Sequence, residues 1–133
     1  MSTFLDTSVL IYWTGENKKA DRVEALLNEG TAISVQVLNE FTNVLYKKKS
    51  FPLTHIKVWC QTLLAVCEIH NLSTETHALA LELMSKYKLS FYDANIVAAA
   101  KLAGCHVLYA EDMQNGLTVK FQDKTTLTIQ NPF

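Results

Sequence analysis

Glycine and proline are scarce in this 133-residue chain, four and two in all. No flexible or stiff linker can be built from so few, so residues 1–133 are expected to form a single domain around one core. Internal repeats and low-complexity stretches are absent too, which excludes solenoids. Hydrophobic residues make up 49% and charged residues 19%, a balance that excludes a disordered chain. No window is apolar for long enough to span a bilayer. The first residues, Met1 to Asp6, carry neither a basic region nor an apolar stretch of signal length. The expectation is a cytoplasmic protein with no membrane association. Cysteines number three, Cys60, Cys67 and Cys105, widely spaced and without a Cys-x-x-Cys pair. This argues against a zinc or redox centre and for buried, reduced thiols. There is no glycine-rich phosphate loop and no Gly-x-Ser-x-Gly elbow, which argues against a nucleotide-binding loop and a serine hydrolase. His55, His70, His77 and His106 show no ligand spacing.

An excess of positive charge is also missing: the formal net charge is −1. A protein that coats nucleic acid through its phosphates carries a basic surplus, and this one does not. What positive charge there is lies in clusters, Lys18, Lys19 and Arg22 in one and Lys47, Lys48 and Lys49 in the other. The second run is a candidate for contact with RNA, set against the plainer reading of a solvated face.

Hydrophobic patterning predicts short strands separated by helices. Phe4-Leu5 reads as a strand ending at Asp6, and Ser8 to Trp13 as the start of a helix stopped by Gly15. Ala20 to Glu29 follows as a helix closed by Gly30. Thr31 to Ser34 reads as a strand. Val35 to Lys49 is a helix with Val37, Leu38, Phe41, Val44 and Leu45 on one stripe, its terminal lysines complementing the helix dipole. Pro52 suits the first turn of a helix running to about Leu64. Val66 to Ile69 alternates as a strand. Helices are expected from Ser73 and over Tyr92 to Ala103, the latter closed by Gly104. Val107 to Tyr109 reads as a buried strand, and Leu117 to Phe121 and Thr126 to Ile129 as one or two strands near a sheet edge. The alternation implies an α/β fold, a three-layer α/β/α sandwich about a mainly parallel sheet. In such sheets ligands sit beyond the carboxyl ends of the strands, where Asp6 and Asp112 fall.

Four carboxylates invite a functional reading, and each has a structural alternative. Asp6, followed by Thr7 and Ser8, is equally an N-cap and a ligand held rigidly at a strand end. Glu40 borders the apolar stripe of its helix, one turn from Val37 and Val44. It is either a rim residue with its head in water or a carboxylate paired with a cation. Ser90-Phe91-Tyr92-Asp93 has the spacing of a capping box, and a carboxylate in a first turn is also kept anionic by the helix dipole. Glu111-Asp112 is either an acidic loop pair or the source of one ligand, Asp112 being preferred. Taken together, Asp6, Glu40, Asp93 and Asp112 are all-oxygen donors suited to Mg²⁺ or Mn²⁺. Such an ion activates water and neutralises charge at a phosphodiester.

Four segments in order carry a resemblance. They are Phe4-Leu5-Asp6-Thr7-Ser8-Val9-Leu10, Val37-Leu38-Asn39-Glu40-Phe41, Leu89 to Ala100 with Ser90-Phe91-Tyr92-Asp93 inside it, and Leu108-Tyr109-Ala110-Glu111-Asp112-Met113. In these the chain resembles the PIN-domain family and, within it, VapC-like toxins, over nearly its whole length. The resemblance implies a Mg²⁺- or Mn²⁺-dependent endoribonuclease with Asp6, Glu40, Asp93 and Asp112 as catalytic metal ligands. Ser8 matches the family's small polar position that hydrogen-bonds within the site. It further implies a homodimer, a cognate antitoxin as partner, and structured transfer or ribosomal RNA as substrate. Ala110 departs from the pattern, standing where the family often has Ser or Thr, and so puts the placement of Asp112 in question. The alternatives are a non-catalytic PIN-like binding module and a PIN nuclease with an RNA-processing or DNA-directed role.

Overall fold

The computed structural model describes residues 3–133; Met1 and Ser2, which head the segment read above for a signal, lie outside the described residues. β1 (Thr3–Leu5) leads through Asp6 into α1 (Thr7–Leu10) and a tight 3₁₀ turn, Ile11–Thr14. The expected single helix over Ser8 to Trp13 is thus two pieces. α2 (Lys18–Asn28) begins two residues before the sequence pattern indicated, because the Asn17 side chain accepts from the Lys19 and Ala20 amides and so caps it earlier. β2 (Ala32–Ser34) runs directly into α3 (Val35–Lys47), whose N-cap is the fully buried Ser34, bonded to the Val37 amide.

Pro52 caps α4 (Leu53–Val66) from outside rather than lying in its first turn. That helix runs two residues beyond the expected end. The strand anticipated over Val66 to Ile69 is therefore displaced to β3 (Glu68–His70), the backbone turning extended only at Cys67. α5 (Thr74–Tyr87) opens on a reciprocal Ser73–Thr76 capping box, and α6 (Phe91–Leu102) on Ser90. β4 (Val107–Tyr109), β5 (Thr118–Lys120) and β6 (Thr126–Gln130) complete the chain.

The six strands are ordered β3-β2-β1-β4-β6-β5. Every pairing is parallel except β5 with β6. β5 takes the edge, and β6 lies inside the sheet. The chain runs outward from β1 to β2 to β3, then crosses back to place β4 on the other side of β1. Right-handed crossovers in opposite directions put helices on opposite faces, which accounts for the layered α/β architecture. Phe4, Leu5, Ile33, Leu108 and Ile129 of the inner strands are fully buried. Phe41 and Leu45 of α3 and the small residues Ala94, Ala98 and Ala100 of α6 join the same core. Reversal of strand order beside β1 opens a crevice at the carboxyl ends of β1 and β4. The residues immediately past those ends are Asp6 and Ala110 to Asp112.

Candidate active site

Asp6, Glu40, Asp93 and Asp112 come together on one open crevice of about 430 Å³. Each arrives from a different element. Asp6 stands between β1 and α1, its amide donating to the Tyr109 carbonyl of β4 at 2.9 Å, so the ends of the two strands are tied. Glu40 projects from the middle of α3. Asp93 lies in the first turn of α6, where its amide donates to Ser90 Oγ at 3.2 Å. Asp112 follows β4, exposed.

The carboxylates are held unequally. Ser8 Oγ donates to Asp6 Oδ2 at 2.6 Å and accepts from the Glu111 amide at 3.0 Å, bridging the β1 and β4 ends through one hydroxyl. Glu40 is engaged on both oxygens, by Thr7 Oγ1 at 2.6 Å and Gln36 Nε2 at 2.7 Å. No hydrogen bond among the described residues fixes the Asp112 carboxylate. Glu111 turns the other way, onto Tyr12 and Lys19.

Electrostatics follow from this crowding. Burial pushes the Asp6 carboxyl up from an ordinary 3.8 to about 7. The Ser8 hydroxyl opposes the rise, while the charge of Asp112, close enough to share a proton with Asp6, adds to it. Asp93 is raised as well, first by burial and then by Asp112, with a smaller push from Glu40. Among the described residues none of the four carboxylates forms a salt bridge. A site of mutually repelling carboxylates without a cationic partner calls for a counter-charge.

A hard divalent cation fits this donor set by its chemistry, since all the ligands on offer are carboxylate oxygens. By placement it fits in part. Among the described residues no three His, Cys, Asp or Glu side chains are arranged to hold one ion, and Glu40 is turned to Thr7 and Gln36. Asp6 and Asp112 form the close pair, with Asp93 within reach of Asp112's field.

The lysine run separates in the structure. Lys48 lines the crevice. Lys49 is drawn off to the Ile11 carbonyl and Thr14 Oγ1, and Lys47 lies over the Tyr46 ring. Tyr92, 62% exposed, is the aromatic at the rim. Thr7, Gln36 and Tyr12 went unnoticed as participants in the sequence. Gln36 left a signal, since residues four apart share a helix face. Thr7 and Tyr12 left none, because their partners are distant in sequence.

Comparison with known proteins gives the family and the fold. A family model described as PIN domain matches residues 3–115. No curated protein sequence matches significantly. Among solved structures the chain is similar to a chain of a toxin–antitoxin complex from Klebsiella pneumoniae, with TM-score 0.70 and 23% identity over 99% of this chain and 98% of that one. It is similar also to a chain of VapBC2 from Rickettsia felis bound to a DNA fragment from its promoter, with TM-score 0.69 and 19% identity over 98% of each. A third neighbour is VapC20 from Mycobacterium tuberculosis, a toxin that cleaves the sarcin-ricin loop, with TM-score 0.66 and 22% identity over 84% of this chain and 90% of that one. At these identities the likeness is one of fold.

Proposed function

The chain belongs to the PIN-domain family, and from that premise we propose that it is a Mg²⁺- or Mn²⁺-dependent endoribonuclease, the toxin of a toxin–antitoxin pair. The observation that carries the reading is the meeting of Asp6, Glu40, Asp93 and Asp112, from four separate elements, on one crevice that also holds Lys48. In this reading Asp6 and Asp112, the close pair, would hold the cation, with Asp93 the further carboxylate that binding would have to draw in and Glu40 bordering it. When bound, such a cation would supply an activated water and neutralise charge on the phosphodiester. The chain's own groups do the positioning. Ser8 fixes the rotation of Asp6 by donating its hydroxyl to Oδ2. Thr7 and Gln36 keep Glu40 at the wall. Lys48 supplies a positive charge for a substrate phosphate, and Tyr92 an exposed ring against which an unpaired base can stack.

The substrate class proposed is structured RNA, transfer or ribosomal, because one local contact set suits a defined RNA shape better than general coating. The partner proposed is an antitoxin, and the assembly a homodimer; the likeness to chains from two toxin–antitoxin complexes supports the first. A second reading, a non-catalytic binding module, is favoured by the lack of any three-ligand cluster among the described residues.

One experiment separates the two. The purified chain, freed of any partner, is incubated with total RNA and Mn²⁺, and RNA ends are sequenced for wild type and Asp93→Asn. Discrete cleavage sites in the wild type that vanish in the variant support the nuclease. An RNA population left intact by the wild type sinks it. Manganese binding measured by calorimetry, and abolished in Asp93→Ala, distinguishes a working metal site from an inert crevice.

A further inference from the structure

Glu111 does not line the crevice, yet its carboxylate is anchored on both oxygens beside it. Tyr12 Oη donates to its Oε1 at 2.5 Å, and Lys19 Nζ to its Oε2 at 2.5 Å. Each carboxylate oxygen has its own donor, so the plane of the group is fixed. The anchors are themselves buttressed. Lys19 Nζ lies 4.5 Å from the Tyr12 ring centroid and 4.9 Å from that of Phe133. The Phe133 ring stands edge-on to Tyr12 at 5.2 Å. Three elements therefore converge on one side chain: the 3₁₀ turn after α1, the start of α2, and the segment after β6.

Around Glu111 the backbone is pinned as well. The Ala110 amide donates to the Gln130 carbonyl at 3.0 Å, and the Glu111 amide donates to Ser8 Oγ. Ala110 and Met113 are buried. Asp112 alone in this stretch is exposed, and the neighbour that its carboxylate meets is the Asp6 carboxyl rather than an N–H or hydroxyl donor. Adjacent side chains diverge, so seating Glu111 outward on Tyr12 and Lys19 aims Asp112 inward at Asp6.

We propose that Glu111 is the positioning residue for Asp112, clamped by Tyr12 and Lys19, and that this clamp does the orienting which a hydroxyl at position 110 would otherwise provide. The proposal rests on Asp112 serving the nuclease site described above. An exposed ion pair adds little to global stability, so the clamp's effect is on the geometry of one loop rather than on the fold.

The test compares the full chain with Tyr12→Phe, Glu111→Gln and Lys19→Met, with Lys19→Arg as the rescuing variant. Four quantities are read: kcat and KM for RNA cleavage in Mn²⁺, Mn²⁺ affinity by calorimetry, thermal midpoint, and the metal-free backbone order parameter of the Asp112 amide. The first three variants are expected to lose on the order of 10-fold in kcat and in Mn²⁺ affinity. Their KM and thermal midpoint stay at the wild-type values, and the order parameter falls from about 0.85 toward the flexible range. Lys19→Arg keeps wild-type behaviour. The double variant Tyr12→Phe/Glu111→Gln is no worse than the poorer single, because both remove one clamp. Unchanged kcat and order parameter in the variants overturn the proposal, as does a loss confined to KM, which would make Glu111 and Lys19 substrate contacts. A wild type that neither cleaves RNA nor binds Mn²⁺ defeats the nuclease reading instead, and the order parameter still decides whether the clamp exists.

Discussion

Replacing Asp6 by asparagine should make the metal-free protein more stable at alkaline pH, which is unusual for a residue in an active site. Asp6 is 5% exposed, and burial, with help from Asp112, raises its carboxyl from 3.8 to about 7. The unfolded chain releases this proton near the ordinary value while the folded chain retains it. Stability contributed by the protonated form is therefore complete below about pH 4 and is lost as pH rises to about 7. At about 1.4 kcal/mol per pH unit the whole displacement is worth about 4 kcal/mol. Of this, about 2 kcal/mol falls between pH 5 and pH 7. Asparagine neither titrates nor loses the capping role, since Asn and Asp cap equally well. Asp93, also raised, titrates in both proteins and largely cancels from their difference. Urea unfolding in EDTA at pH 5 and pH 8 provides the measurement. Wild type is expected to lose about 3 kcal/mol relative to Asp6→Asn across that interval, and added Mn²⁺ to restore wild type at pH 8 by mass action. A pH-independent difference, or an Asp6→Asn protein less stable than wild type at pH 8, would refute the claim that the site buries an uncompensated carboxylate.

Other outcomes follow from single contacts. Lys48→Met should lower kcat/KM for RNA on the order of 10-fold, from about 1.5 kcal/mol for one charged contact, while Lys47→Met, whose ammonium lies over Tyr46, leaves cleavage near wild type; equal losses in the two would remove Lys48 from the site. Phe41→Ala, at a fully buried position against Trp13, should cost about 3–5 kcal/mol in urea unfolding. Ser34→Ala removes the buried cap of α3 and should cost about 1 kcal/mol by the same assay. Cys67 and Cys105 are buried with thiols pushed up by that burial, Cys105 to about 11; mass spectrometry should find Cys60 alkylated ahead of both in folded protein at pH 8.

The parts of the site legible in the sequence were those that local chemistry marks. Asp6 follows an apolar strand, Asp93 sits three residues after a capping serine, and Glu40 rides beside the buried stripe of α3; each lies on the crevice where strand-end logic directs a ligand. The fold class was legible for the same reason, since strand and helix periods differ over windows of a few residues. The boundary at Val66 was not. Val66-Cys67-Glu68-Ile69 alternates by accident at the end of α4, and only pairing with β2 selects Glu68–His70 as the strand. The separation of Lys48 from its neighbours was invisible too, because three identical residues at a helix end differ only in the direction each one faces. Glu111 was passed over as the lesser half of an acidic pair. Its partners lie 99 and 92 residues away, a distance no local pattern spans.

Capping and ligation were competing readings for these carboxylates in the sequence, and in the structure they draw on different atoms. Asp6 accepts the Ser8 amide and hydroxyl on Oδ2, and its other neighbour in the crevice is the Asp112 carboxylate. Asp93 uses its amide for the Ser90 cap, while its carboxylate feels the charge of Asp112 and is steadied by the Ser90 hydroxyl. Glu40 differs, with Thr7 on one oxygen and Gln36 on the other, so a cation would have to share each oxygen with an existing donor. Among the described residues Glu40 alone of the four has a donor on each oxygen, which makes Asp6, Asp93 and Asp112 the better placed to act as ligands. The doubt raised by Ala110 also changes character. A missing hydroxyl at that position matters only if nothing else orients Asp112, and the Glu111 side chain, clamped from two elements on the outer side, is positioned to do so.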